Sequence, residues 1–165
     1  MPIFNNILKI PSSQGSLNKN LGCELAPDEI LKHLKNNFIV DAVPIDNLNI
    51  EITNENIFSK TSNFTGIILG GDHSITYPSF IALSKKYKNP GLVVLDAHVD
   101  CASYIKPPSH EDFIRVLIED KIIKPKNILF LGVRMVYGVE KRFIKRKKPW
   151  FIDVKNTQKL KEEIN

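Results

Sequence analysis

The chain is poor in cysteine and has no long apolar run. Two cysteines in 165 residues, Cys23 and Cys101, make no disulfide framework, which excludes a small disulfide-stapled secreted scaffold. No apolar stretch approaches the length of a membrane span, and Met1-Pro2-Ile3-Phe4 does not open a signal peptide. A cytoplasmic protein that does not engage a membrane is the expectation. Internal repeats and low-complexity segments are also missing. What remains is ordinary for one globular domain, 42% hydrophobic and 25% charged, long enough to bury a core.

Acidic residues are scarce towards the C-terminus. Residues 141–165 hold nine Lys or Arg against three acids, whereas the other 140 hold 14 against 15. Lys141, Arg142, Lys145, Arg146, Lys147 and Lys148 form the dense part. Clustered cations supply phosphate affinity, so a nucleic-acid patch is one reading. No stacking aromatics are interleaved, however, and Trp150 and Phe151 read as strand core. A solvated helix face, with cations at the helix C-terminus, accounts for the cluster without nucleic acid as a partner.

Chemistry concentrates between Ile67 and Asp100. Ile67-Ile68-Leu69 and Leu92-Val93-Val94-Leu95 are short apolar runs bounded by Gly or Pro, the pattern of strands buried on both faces of a parallel sheet. Pro78 to Lys88 has a helical rhythm, so strand, helix and strand read as one right-handed crossover. Each strand ends in metal-type residues: Asp72 and His73 after the first, Asp96, His98 and Asp100 after the second. The carboxyl edge of such a sheet is where ligands bind. In an extended Asp96-Ala97-His98-Val99-Asp100, alternation sends residues 96, 98 and 100 to one side. Two carboxylates with imidazole suit Mn, Zn or non-haem Fe; without thiolates, softer-metal cages are not expected. Cys101, next to a candidate ligand, reads as a small buried thiol.

Gly70-Gly71-Asp72-His73-Ser74 followed by Asp96-Ala97-His98-Val99-Asp100 resembles the first two signature motifs of the ureohydrolase family, which includes arginase, agmatinase and formimidoylglutamase. The similarity extends to Gly22-Cys23-Glu24-Leu25-Ala26-Pro27, to Ser109-His110-Glu111-Asp112 and to Leu131-Gly132-Val133-Arg134. It implies a three-layer α/β/α fold with a mostly parallel sheet, here as a single partial domain over residues 1–165, about half of the fold.

Along the chain, Phe4 to Ile10 reads as a first strand. Pro27 with Asp28 and Glu29 marks a helix start, with Ile30, Leu31 and Leu34 as its apolar stripe. Phe38 to Val43 reads as a strand. Asn47 to Asn63 is Asn-rich and reads as loop with at most a weak helical turn, where the resembled family has a longer helical connection. Glu111 to Asp120 is an amphipathic helix with His110 at its entrance. Asn127 to Val133 is another buried strand and Pro149 to Val154 a last, weaker one.

The resemblance implies two Mn²⁺ ions (Zn²⁺, Co²⁺ or Fe²⁺ being alternatives) sharing a bridging hydroxide that attacks the carbon of a linear guanidine or amidine. His73, Asp96, His98 and Asp100 would be metal ligands, with Asp96 shared by the two ions. Asp100 would also accept the water proton, and His110 would return a proton to the leaving amine. Ala102 stands where arginases tend to carry a polar residue, which disfavours arginine. The later D-x-D-x-x-D-P motif that completes the family's metal site does not occur. Asp153, the only acid of the last strand, reads as structural.

Three readings follow. The chain is a ureohydrolase part, completed by a second chain carrying that motif or by a homo-oligomer, or a copy whose remainder was lost to a split or truncated reading frame; or an inactive metal-binding remnant, a regulatory or assembly module; or, with least support, a nucleic-acid-binding module using the basic tail. An open sheet edge favours a partner chain.

Overall fold

The structure, a computed structural model, describes residues 5–35 and 37–152. It divides into two compact units, Met1–Lys86 with Lys106–His110, and Tyr87–Ile105 with Glu111–Asn165. Each contains a parallel three-stranded sheet flanked by helices, the arginase-like α/β architecture. No helix among the described residues is long and apolar enough to cross a membrane.

In the first unit β1 (Asn6–Ile10) lies between β2 (Ile39–Ala42) and β3 (Ile67–Gly70), parallel to both. As the central strand it is buried on both faces: Ile7, Leu8 and Ile10 are at most 1% exposed. On one face Leu8 and Ile10 join Val43, Ile57 and Ile75, with Ile68 and Phe64 packed against them. On the other, Lys9 reaches Asp28 of α1 (Ala26–His33) at 2.6 Å. Sheet and helices thus form three layers within this unit. Helix α1 starts as expected, with Pro27 in its first turn beside Asp28 and Glu29. Its stripe does not bury, since Ile30 and Leu34 are 42% and 40% exposed. The helix stops before Leu34, whose backbone is already extended.

Residues 47–63 are not a loop. They carry α2 (Ile50–Thr61), a helix of 12 residues. The Asn-rich composition hid two local causes. Asn49 is an N-cap whose side chain accepts from the N–H groups of Glu51 and Ile52. Thr53, Ile57 and Thr61, spaced by four, form its buried stripe. The Thr61 hydroxyl donates back to the Ile57 carbonyl at 2.7 Å, so this β-branched polar side chain is accommodated in the interior. Helix α3 (Thr76–Lys86) packs beside α2 and buries Pro78, Phe80 and Ala82.

In the second unit β5 (Ile128–Leu131) lies between β4 (Leu92–Leu95) and β6 (Trp150–Ile152). Strand β3 belongs to the sheet of the first unit and β4 to that of the second. Helix α4 (Phe113–Glu119) is amphipathic as expected: it buries Phe113, Ile114, Val116, Leu117 and Ile118, while Arg115 and Glu119, four residues apart, pair on its polar face. It contacts α5 (Gly138–Lys147), where the Arg115 guanidinium lies 4.9 Å from the Phe143 ring centroid.

Burial of β4 on both faces is also corrected: Val94 is buried, but Val93 and Leu95 are 57% and 77% exposed. Register places Val93, Leu129 and Trp150 in one row, and Trp150 is 59% exposed rather than core. Phe151, on the opposite face, stacks on Phe130 at 5.0 Å yet stays partly exposed. Among the described residues β6 is the last strand of this sheet, with β5 as its neighbour. Asp153, in the last expected strand, lies outside the described residues.

Candidate metal centre

In the first unit the ladder between β1 and β3 continues beyond Gly70: the N–H groups of Gly71 and Asp72 donate to the carbonyls of Ile10 and Ser12 at 3.2 and 3.0 Å. A side chain at Gly71 would overlap the Ser12 carbonyl, so this crossing needs glycine. The chain then leaves the sheet through a short 3-10 turn, His73–Ile75, capped by Asp72. Asp72 is 5% exposed. One of its oxygens accepts the Ser74 N–H at 2.8 Å and the other the Gly15 N–H at 3.0 Å. His73 is therefore held on a turn pinned at both sides, at the carboxyl end of its strand.

His110 belongs to the same unit. Its backbone N–H donates to the Gly15 carbonyl at 3.0 Å, and its Nδ1 lies 2.8 Å from the same oxygen. A carbonyl only accepts, so Nδ1 carries the proton and Nε2 is the basic nitrogen of the neutral ring.

In the second unit Asp96 extends the ladder by donating its N–H to the Leu131 carbonyl at 3.1 Å. The chain then turns, contrary to the extended Asp96–Asp100 expected. The Asp96 side chain accepts the His98 N–H at 2.9 Å, closing a local turn of the kind Asp favours, and Asp100 adopts a left-handed backbone with φ +46°. Alternation therefore does not align the three side chains. The turn does so instead for the carboxylates, because oxygens of Asp96 and Asp100 lie within 4.8 Å of one another. His98 keeps its Nδ1 3.3 Å from Asp96 Oδ1.

This loop is fixed from three directions. Val99 and Cys101 are fully buried anchors. The Ala97 carbonyl accepts the N–H groups of Arg134 and Met135 at 3.0 and 2.9 Å, after Gly132 has turned the chain at φ +84°. That is the structural role of Leu131-Gly132-Val133-Arg134. Glu140, 3% exposed, accepts the Cys101 N–H at 3.1 Å and the Tyr137 N–H at 2.8 Å. Burial, and then the negative charges of Glu140 and Asp100, push the Cys101 thiol far above its ordinary range. It is a neutral buried thiol, as expected, rather than a ligand or nucleophile.

Sequence reasoning missed the parts of Asp72 and Glu140. A capping acid is legible at both positions, one before a helical turn and one three residues into α5. Their second hydrogen bonds, to Gly15 and Cys101, have no local signal. The donor set of the β4 loop, two carboxylates and an imidazole with the thiol neutral, fits a hard or borderline divalent ion such as Mn²⁺, Zn²⁺, Co²⁺ or Fe²⁺.

A family model described as the arginase family matches residues 6–164. The chain is 34% identical over 114 residues to an arginase from Staphylococcus aureus (strain COL), covering 61% of this chain and 38% of that one. It is 34% identical over 77 residues to an agmatinase from Bacillus anthracis, covering 46% and 25%. Among solved structures, formimidoylglutamase from Bacillus subtilis superimposes with a TM-score of 0.81 at 19% identity, covering 96% of this chain and 58% of that one. At that identity the likeness is one of fold. The chain spans less than two thirds of the length of each.

Proposed function

The chain belongs to the arginase family, and from that premise we propose that it is the metal-holding part of a hydrolase that cleaves a C–N bond of a linear guanidine or amidine, acting with a complementary chain. The observation that carries this reading is the β4 loop, where Asp96 and Asp100 bring carboxylate oxygens within 4.8 Å. Asp96, His98 and Asp100, with His73 at the end of β3, are the residues that would hold a pair of divalent ions, Mn²⁺ first, with Asp96 shared. Bound ions of this kind lower the pKa of a coordinated water and polarise the group it attacks.

The protein's own groups carry the protons. Asp100 is the acceptor for the proton that water loses as it adds to the guanidinium carbon. His110, protonated at Nε2, delivers a proton to the departing nitrogen as the C–N bond breaks, and the pinned Nδ1–H keeps that nitrogen directed. Substrates of the arginine, agmatine and formimidoylglutamate type fit the names of the relatives, with Ala102 disfavouring arginine. The complement is a second chain carrying a D-x-D-x-x-D-P segment, or a second copy. In the basic cluster Arg146 lies 3.6 Å from Glu119, and Arg146 and Lys147 lie over the Phe143 ring, which supports the reading of these two residues as part of a helix face rather than of a nucleic-acid patch.

The test is release of urea or ammonia from arginine, agmatine and formimidoylglutamate with Mn²⁺, for the 165-residue chain alone and with a candidate complement. No turnover alone and turnover with the complement is expected. Robust turnover alone would remove the need for a complement. Mn²⁺ binding without turnover in every combination would leave an inactive metal-binding module and overturn the enzymatic reading.

A further inference from the structure

The Asp72 carboxylate stands one residue before a proposed ligand, yet both of its oxygens are engaged by backbone N–H groups, those of Gly15 and Ser74. Gly15 is also the residue whose carbonyl takes both the backbone N–H and the ring Nδ1 of His110. Three segments distant in sequence therefore meet at one glycine. We propose that Asp72 is a positioning residue: by clamping Gly15 it aims the Gly15 carbonyl at His110 and selects the ring tautomer with Nδ1 protonated and Nε2 basic.

The physical argument has three parts. A carboxylate accepting two N–H groups, itself 5% exposed, is a strong and short-ranged anchor. It holds the 3-10 turn that bears His73 and the Gly15 loop in one fixed relation. Next, the approach at Gly15 is close enough that a methyl group there would overlap the Ser74 side chain. The loop thus has no alternative residue and little room to shift. Finally, an imidazole free in water distributes its proton between both nitrogens, whereas a fixed carbonyl at Nδ1 admits only one arrangement. A general acid that must deliver its proton from Nε2 gains from that choice before substrate arrives. This rests on the reading of His110 as the proton carrier, but the tautomer itself depends on neither metal nor turnover.

The experiment is nitrogen NMR of the His110 ring in the full, metal-free chain at a pH where the ring is neutral, for the wild type, Asp72→Ala and the isosteric Asp72→Asn. The wild type is expected to show the Nδ1–H tautomer with a slowly exchanging Gly15 amide. Both variants are expected to lose protection at Gly15 and to move the tautomer ratio by about tenfold towards Nε2–H, the scale of one hydrogen bond. An unchanged ratio in a folded variant overturns the proposal. If neither variant folds, the wild type decides alone: a ring protonated at Nε2, or a rapidly exchanging Gly15 amide, overturns it. Because no substrate is used, absence of hydrolase activity cannot produce any of these outcomes.

Discussion

Glu140 accepts the backbone N–H of Cys101 at 3.1 Å across 39 residues of sequence. One end of α5 thereby holds the loop that carries Asp96, His98 and Asp100. The first unit uses the same device, since Asp72 accepts the Gly15 N–H across 57 residues. In both units a buried carboxylate with two backbone donors fixes the segment bearing candidate ligands, and no solvated ion pair is needed.

Removing the Glu140 carboxylate strands two backbone donors, that of Cys101 in the interior. Glu140→Ala is expected to lower stability by about 2–3 kcal/mol, the scale of unsatisfied buried groups. Glu140→Gln retains one acceptor and loses less. Denaturant unfolding of both variants checks the order, and equal losses would show that packing, not the acceptor, matters.

Metal binding follows from the loop. The chain is expected to bind Mn²⁺ weakly and to be stabilised modestly against heat, in proportion to the occupancy of the site. Asp96→Ala and Asp100→Ala should abolish both effects. Calorimetric titration at millimolar Mn²⁺, Zn²⁺ and Co²⁺ decides, and no heat with any of the three contradicts the site.

His110 is expected to separate rate from binding. In a reconstituted active complex, His110→Ala should retain metal affinity while the rate falls about 10²–10⁴-fold, the range for a general acid–base group. Loss of metal in the variant would make His110 a ligand instead.

The buried thiol makes stability depend on alkaline pH. Folded Cys101 ionises far above the ordinary thiol value of 9.0, so only the unfolded chain gains charge as the pH rises past that value. Its contribution is complete below the unfolded pKa and declines above it, towards the raised folded value. Unfolding followed from pH 7 to 10.5 should show stability falling at the alkaline end, with a shallower fall in Cys101→Ala. Cys23, also raised, chiefly by burial, leaves a smaller residual slope.

The apolar row on the second sheet predicts self-association. Val93, Leu95 and Trp150 are all more than half exposed, whereas Val94, Ile128 and Phe130 on the opposite face are buried. Contiguous apolar surface of this kind drives association in water. Leu95→Lys is expected to raise the monomer fraction in sedimentation velocity, and no change would assign association to the strand edges instead.

Local pattern carried much of this protein. The apolar runs at residues 67–69, 92–95 and 128–131 are strands, Pro27 with Asp28 and Glu29 starts a helix, and Cys101 is buried, because period, capping and residue chemistry act within a few positions. The two motifs after β3 and β4 identified the family for the same reason, since short stretches of unusual chemistry stand out in any sequence. Helix α2 was also local in origin, but Asn49 signals loop by composition and a cap by position, and composition misled.

Tertiary structure alone decided the rest. Whether β4 buries one face or two depends on what covers it, not on its own apolar run. The turn at Asp96 replaced an extended strand once its side chain took the His98 N–H. Asp72 and Glu140 became anchors through partners 57 and 39 residues away. Such hydrogen bonds form only when folding brings the segments together, and no periodicity in the sequence records them.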